Sequence, residues 1–409
     1  MTVRYSVVQM GARRDYAVPA LLHRAGLLEL FFTDICADTG LGRYLSWGKG
    51  LPVVGSKLNR LANRRLPDGI SAKTVTYTAP MLRHYRRTMR HLSPADHFRT
   101  HVTWANELGD SIARTGFGRS THLYSMLGEC PPAMISARAR GLKTVSEIYI
   151  MLSTDSIVAE ERKRFPDWEP EDLDYESFRE ELSSEDTLLR NTDIAVCPSE
   201  GVRADLVKNF HFPIERTAII PYEVEDSWLN VSSALVPRRI LFAGAAGLRK
   251  GIHYLARAAS ILRSQGHDYE FRIAGDVLPA IREHPGAAGL TFLGRVPRSE
   301  IAAEFASADV YALPSLGEGS AVSTYQALAV GIPVVTTLSA GSVVRDGVDG
   351  YIVPERDAES LAAAIARIVE DRARRAEFSA NARKRAAEYT WARYSERLVD
   401  TLTGSLCVN

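Results

Sequence analysis

Apolar runs closed by glycine-bearing loops, each leading into a helical pattern, recur along the chain. Arg4 to Met10 predicts a first strand, Gly11 and Ala12 open its loop, and Pro19 suits the first turn of the following helix. Further strands are predicted at Leu30 to Thr33, His122 to Leu127, Thr144 to Ile150, Ile194 to Cys197 and Ala218 to Pro221, with helices over Ala133 to Arg140 and Val202 to Phe210. From about Ser46 to Arg114 no clean strand emerges, and the acidic stretch from Ala159 to Asp186 reads as a surface insertion of short helices.

Glu223 to Pro237 is polar and strand-free, which marks a linker, and a second series then begins. Its strands are predicted at Arg239 to Ala243, Glu270 to Ala274, Leu290 to Leu293, Val310 to Leu313, Val334 to Thr336 and Gly350 to Pro354. Helices are expected from Ile252, Ile301, Val322, Ser360 and Asp371. Strands alternating with helices argue for parallel sheets covered on both faces, so the expected class is α/β with two doubly wound domains, at 1–228 and 236–390.

A chain of 409 residues is too long for one compact core, and 45% apolar with 24% charged residues is ordinary globular composition. A net charge of +1 argues against a nucleic-acid partner bound by bulk electrostatics. Cys36, Cys130, Cys197 and Cys407 are far apart and lack metal-ligand spacing, so they read as free thiols of a reducing compartment. The N-terminus shows no leader pattern, and the expected location is cytoplasmic. Arg83 to His91 is a basic helical stretch; it reads first as a solvated face, with peripheral contact to anionic lipid at the inner membrane face as the alternative.

Two loops carry the chemistry. Pro314 to Ala321 joins an apolar strand to a helix through two glycines and one carboxylate, Glu318, and backbone N–H groups at such a junction suit a phosphate or sugar hydroxyls. Gly244 to Gly251 contains Arg249 and Lys250 where a glycine loop enters a helix, a setting for a diphosphate held by charge-assisted hydrogen bonds and the helix dipole. It is not a Walker loop, because Lys250 is followed by glycine rather than Ser or Thr.

With these pieces in order, residues 239 to 390 resemble the retaining glycosyltransferases of family 4, the group 1 glycosyltransferases. The resemblance rests on Phe242-Ala243-Gly244 with Arg249-Lys250-Gly251, Phe292-Leu293-Gly294, Leu313-Pro314-Ser315 with Glu318-Gly319, Ala327-Leu328-Ala329 with Gly331-Ile332-Pro333, and Asp346 to Tyr351. It implies a GT-B fold, with Rossmann-like domains facing a cleft and a last helix, about 391–409, crossing back to the first domain. It also implies a nucleoside-diphosphate sugar, UDP- or GDP-linked, as co-substrate, no metal and no other cofactor. The acceptor would be a glycan, lipid-linked or small-molecule hydroxyl bound by the first domain.

By the same resemblance, Arg249 and Lys250 hold the diphosphate and stabilise the leaving group, and Glu318 binds the sugar with the amides of Gly319, Ser320 and Ala321. Gly294, Arg295 and Val296 border the base. Gly11 and Ala12, in the first strand–loop–helix opening, read either as a substrate-binding loop or as a tight turn that needs glycine. The chain departs from the family twice. A second carboxylate, eight positions after the first, is replaced by Gln326; an amide can still accept from one ribose hydroxyl and donate to another. Where many members have a histidine after the strand matching Thr144 to Ile150, this chain offers Glu147, either a sugar contact or a strand carboxylate without a role. These departures leave a second reading open, a non-catalytic GT-B protein that binds a nucleotide or glycan.

Overall fold

The computed structural model describes residues 3–40, 64–88, 93–127, 129–170 and 184–404. Seven parallel strands make the first sheet: β1 (Tyr5–Val8), β2 (Leu28–Thr33), β3 (Thr74–Thr76), β4 (His122–Met126), β5 (Lys143–Glu147), β6 (Ile194–Cys197) and β7 (Thr217–Ile219). Their spatial order is β3-β2-β1-β4-β5-β6-β7. Six more make the second: β8 (Arg239–Ala243), β9 (Glu270–Ala274), β10 (Leu290–Gly294), β11 (Val310–Leu313), β12 (Val334–Thr336) and β13 (Gly350–Ile352), in the order β10-β9-β8-β11-β12-β13. All strand pairs in the second sheet are also parallel.

The strand order reverses between β1 and β4 in one sheet and between β8 and β11 in the other. Loops leaving the carboxyl ends of strands at such a switch point splay apart and leave a crevice, the usual ligand position in open parallel sheets. The strands are short and their central positions are mostly buried because helices cover both faces; Phe31 and Tyr124 are fully buried in the first sheet, Phe242 and Tyr311 in the second.

The final helix, Trp391–Thr403, returns to the first sheet, where Tyr5 donates its hydroxyl to the Leu402 carbonyl at 2.7 Å. Residues 405–409, with Cys407, lie outside the described residues. Cys36, Cys130 and Cys197 are buried free thiols. Among the described residues no helix is long and apolar enough to cross a membrane.

Several sequence expectations need correction. The stretch from Ser46 to Arg114 does contain a strand, β3, a three-residue edge strand too short to stand out; residues 46–63 of it lie outside the described residues. The predicted strand from Thr144 ends at Glu147, leaving Tyr149 and Ile150 in the loop beyond. Glu223 to Pro237 is more than a spacer, since it folds into a short helix, Asp226–Leu229, whose Trp228 is buried edge-on against Phe305.

The largest correction concerns the acidic stretch. Its helix, Thr154–Arg164, packs into the second domain rather than lying on the surface. Glu161 is fully buried against His253, Tyr254 and Arg356, and Trp168 stacks on His284 with ring centres 4.2 Å apart. Residues 171–183, which include Asp174, Glu176, Glu180 and Glu181 of this acidic stretch, lie outside the described residues. In the basic stretch, the helix Thr78–Thr88 spends Arg83 and Arg87 on Glu107, at 3.1 and 2.9 Å, and residues 89–91 are outside the described residues.

Candidate functional site

The loop after β8 turns through Gly244 to Gly247, makes one tight turn at Leu248–Lys250, and enters the helix Ile252–Ser264 through Gly251. Gly251 sits at φ 70°, and a side chain there would overlap the Pro314 carbonyl, so only glycine lets this loop pass against the loop after β11. The two loops are tied directly, with Leu316 N–H donating to the Arg249 carbonyl at 2.8 Å and the Arg249 guanidinium donating to the Gly317 carbonyl at 3.1 Å.

This crossing brings the three predicted charged residues together. Arg249 Nη1 and Lys250 Nζ lie 2.7 and 2.5 Å from the same oxygen, Oε1 of Glu318. Neither approach has hydrogen-bond geometry, so that buried oxygen is held by charge more than by directed bonds. Lys250 is only 9% exposed, and burial lowers its pKa; Glu318 opposes that shift and Arg249 adds to it. An ammonium buried beside a guanidinium and countered by one carboxylate has unspent affinity for a second anion.

Lys250 and Glu318 open into a cleft of about 450 Å³ that Arg295, Val296, Ser320 and Gln326 also line. Gly294 lies at the end of β10 just before Arg295, at φ 71°, with its carbonyl accepting from Gly275 N–H at 2.8 Å. Of the three amides predicted to point at a ligand, Ala321 N–H is already donated to the Ala340 carbonyl at 3.0 Å. That contact closes the loop onto the segment after β12 and corrects the expectation of a free donor at Ala321. Val322 and Ser323, the first two residues of the helix Val322–Val330, line the cleft with N–H groups that precede the helical hydrogen-bond ladder, while Thr324 N–H is donated to the Ala321 carbonyl at 2.9 Å. Ser320 bonds through its hydroxyl to the Gly341 carbonyl and to Tyr325, at 2.7 and 2.8 Å, so it shapes the loop.

The first-domain residues are placed differently. Gly11 sits at φ 68° after β1, donating its N–H to Asp34 at 3.0 Å, and Ala12 follows it. Glu147, at the carboxyl end of β5, is 1% exposed; its two oxygens accept from Tyr124 and Tyr222 at 2.7 and 2.9 Å. With both oxygens occupied in this cage, and Arg14 4.0 Å away, Glu147 fits a strand carboxylate that organises the core beneath the site.

The first domain also reaches the glycine loop. Ser199, after β6, donates its hydroxyl to the Gly319 carbonyl at 2.6 Å, and a side chain on Gly319 would overlap the Tyr149 carbonyl. Glu169 accepts Leu248 N–H at 2.7 Å, at the start of the turn that carries Arg249 and Lys250. A second cleft, of about 420 Å³, lies there between Asp155, Arg162 and Glu169 on one side and Ala245, Gly247 and Arg249 on the other. Sequence reading missed these residues, because nothing local ties an acidic helix to a loop some eighty positions later. Glu129, which follows β4, carried a positional signal, a carboxylate at a strand end beside the switch point.

Comparison with known proteins agrees with this picture. Residues 237–371 match the family model described as "Glycosyl transferases group 1". The chain is 30% identical over 196 residues to a putative colanic acid biosynthesis glycosyltransferase, WcaL, of Salmonella typhimurium, covering 44% of this chain and 48% of that one. It is 36% identical over 178 residues to a phosphatidyl-myo-inositol mannosyltransferase of Mycolicibacterium smegmatis, covering 41% and 46%. The matched part thus spans about half the length of these curated relatives. Among solved structures, sucrose-phosphate synthase from Thermosynechococcus elongatus superposes with a TM-score of 0.65 at 17% identity, over 98% of each chain. Anabaena Alr3699/HepE in complex with UDP-glucose superposes with a TM-score of 0.62 at 13% identity, over 98% of this chain and 100% of that one. These likenesses establish the two-domain GT-B fold.

Proposed function

From the match of residues 237–371 to the family model of group 1 glycosyl transferases, we propose that the protein is a glycosyltransferase. It moves a sugar from a nucleoside-diphosphate sugar to an acceptor hydroxyl with retention of the anomeric configuration. The observation that carries the reading is the meeting of Arg249, Lys250 and Glu318 at the mouth of one cleft. The relatives named as glycosyltransferases, and the UDP-glucose held by a protein of the same fold, support a nucleotide sugar as the donor.

In this reading the diphosphate takes the place that Glu318 holds opposite the two cations. Lys250 and Arg249 then face the phosphate oxygens, where negative charge grows as the glycosidic bond breaks, and they stabilise it without reorganisation. Released from that pairing, Glu318 accepts hydrogen bonds from the sugar, and the first-turn N–H groups of the helix Val322–Val330 add their dipole. Breaking is dissociative and oxocarbenium-like, and the acceptor enters on the face the diphosphate leaves. The cations supply the charge stabilisation, so the reaction is proposed to be metal-independent. Arg295, Val296 and Gln326 flank the nucleoside. The pairing of Arg83 and Arg87 with Glu107 supports a packed helix pair there over a lipid-binding face.

Lys250→Ala is the decisive test. Removing one stabilising donor is expected to lower turnover of the accepted UDP- or GDP-sugar by about 10²–10³-fold. Unchanged turnover, measured as nucleotide release, would overturn the assignment. A wild-type protein that binds UDP or GDP but neither hydrolyses nor transfers any nucleotide sugar would instead favour the non-catalytic reading.

A further inference from the structure

The first domain holds a cavity of about 320 Å³ between the helix Pro94–Thr115 and the loops that follow β4 and β5. Its walls are mainly apolar, with Met10, Phe98, Val102, Trp104, Met151 and Leu152 among them. At about 30 Å³ per water molecule the space corresponds to roughly ten waters, the size of one ring system rather than of a polymer.

Glu129, together with His101, Asn106, Thr154 and Asp155, interrupts this lining with polar groups. The Glu129 Oε2 accepts Met10 N–H at 2.8 Å. Leu127 and Cys130, on either side, are non-glycine residues at φ 44° and 66°. Backbone held in that region is disfavoured and persists only where the surroundings over-determine it, commonly at ligand sites.

The cavity is not isolated. Asp155 lines both it and the cleft at Ala245, Gly247 and Arg249. Ala245 and Asp276 in turn join that cleft to the one containing Lys250 and Glu318. The three spaces therefore lie side by side, from the apolar cavity to the cations proposed to hold the donor.

We propose that this cavity seats the acceptor, and that the acceptor is an amphipathic alcohol. Its apolar body fills the cavity, a polar group meets Glu129, and the reacting hydroxyl lies at the Asp155 mouth. This inference rests on the transferase reading and adds the acceptor's chemical class to it. A free sugar is the wrong shape of chemistry for these walls: hydroxyls set against Phe98, Val102, Met151 and Leu152 would lose water and gain no partners. Burial pushes the Glu129 carboxyl up to about 8, against the opposing pull of the Met10 amide and Arg13 and with the repulsion of Asp34 and Glu147. A carboxyl that is neutral at pH 7 can both donate and accept, and it spares the apolar cavity a bare charge.

The test uses the full chain with 2-naphthol as the apolar-bodied alcohol and glucose as the hydroxyl-rich control. Calorimetry is expected to detect 2-naphthol binding at least about tenfold tighter than glucose. Ala105→Trp and the milder Val102→Phe fill the cavity from the helix side, away from the donor loops. Each should weaken 2-naphthol by about tenfold or more, leaving the melting shift caused by UDP or GDP unchanged. Equal binding of the two probes, or 2-naphthol binding indifferent to both variants, would overturn the proposal. Nucleotide-sugar turnover that 2-naphthol and its apolar analogues never accelerate would sink this inference alone. Cavity-dependent 2-naphthol binding in a protein that turns over no nucleotide sugar would sink the transferase reading, and with it the acceptor role.

Discussion

The Ser199 hydroxyl, in the loop after β6, donates to the Gly319 carbonyl, in the loop after β11, at 2.6 Å. The same oxygen accepts Val202 N–H at 3.3 Å and so caps the helix Glu200–Phe210. One side chain thus starts a helix of the first domain and fastens the glycine loop of the second. Glu318, one residue from that bond, is positioned by both domains at once.

Ser199→Ala removes both bonds. A lost N-cap costs about 1 kcal/mol, and a buried hydrogen bond lost on one side costs a further 1 kcal/mol or so. The variant should therefore be about 1–2 kcal/mol less stable in urea denaturation. Its kcat/KM should also fall, because the Gly319 carbonyl loses its anchor. A stability loss with an unaltered kcat/KM would show that the bond to Gly319 does not position the donor loop.

Gly319→Ala acts on the same joint by crowding. The added methyl would overlap the Tyr149 carbonyl, backbone against backbone, so no rotamer change relieves it. Relief comes only by moving the glycine loop away from the first domain. Each sheet should keep its fold, with an unchanged far-ultraviolet dichroism spectrum. Transfer should fall by about 10²-fold, the order expected when reacting groups are displaced by about an ångström. Full activity in this variant would mean that the domains work in a more open arrangement.

Why some of this was legible in the sequence and some was not follows from range. Arg249, Lys250 and Glu318 could be paired from sequence because each follows an apolar strand, and loops from parallel strands at a switch point leave the same sheet edge. The strands β6, β8, β11 and β12 were readable for a related reason: burial on both faces keeps them mainly apolar. Glu161 lies in a stretch whose acidity reads as a surface insertion, yet it is buried, because its partners His253, Tyr254 and Arg356 lie 92, 93 and 195 positions away. Charge in a run says nothing about pairing at that distance. Glu147 was ambiguous for the same reason, since the tyrosines that cage it come from β4 and from beyond β7.

Glu161 gives the joint a dependence on pH. Burial alone would raise its pKa, but hydrogen bonds from His253, Arg356 and Tyr254 outweigh that and hold it at about 2, against 4.5 for the free side chain. The folded protein therefore binds this proton more weakly than the unfolded chain. The stabilisation is complete above pH 4.5 and is lost as pH falls from 4.5 through about 2. At about 1.4 kcal/mol for each tenfold in proton affinity, the loss is on the order of 3 kcal/mol. Glu161→Gln should lower stability at pH 7 and flatten the acid limb of a plot of melting temperature against pH. An acid limb of unchanged slope would show that other carboxylates carry the transition.

Gln326 offers the sharpest test of where the nucleoside lies. It lines the cleft with Lys250, Arg295 and Glu318, on the helix that the glycine loop opens. An amide there can bridge two ribose hydroxyls, but a carboxylate accepts from both with charge-assisted bonds, which are roughly twice as strong. Gln326→Glu is therefore expected to tighten UDP or GDP by about tenfold, the equivalent of about 1.4 kcal/mol. The gain should shrink little with added salt, because the new contacts are short and shielded within the cleft. The free base or the diphosphate part alone should gain nothing, since neither presents the ribose hydroxyls. Calorimetry with UDP, GDP and pyrophosphate separates these outcomes. Unchanged nucleotide binding would place the ribose away from this helix, and a loss of pyrophosphate binding, from repulsion by the new carboxylate, would place the phosphates there instead.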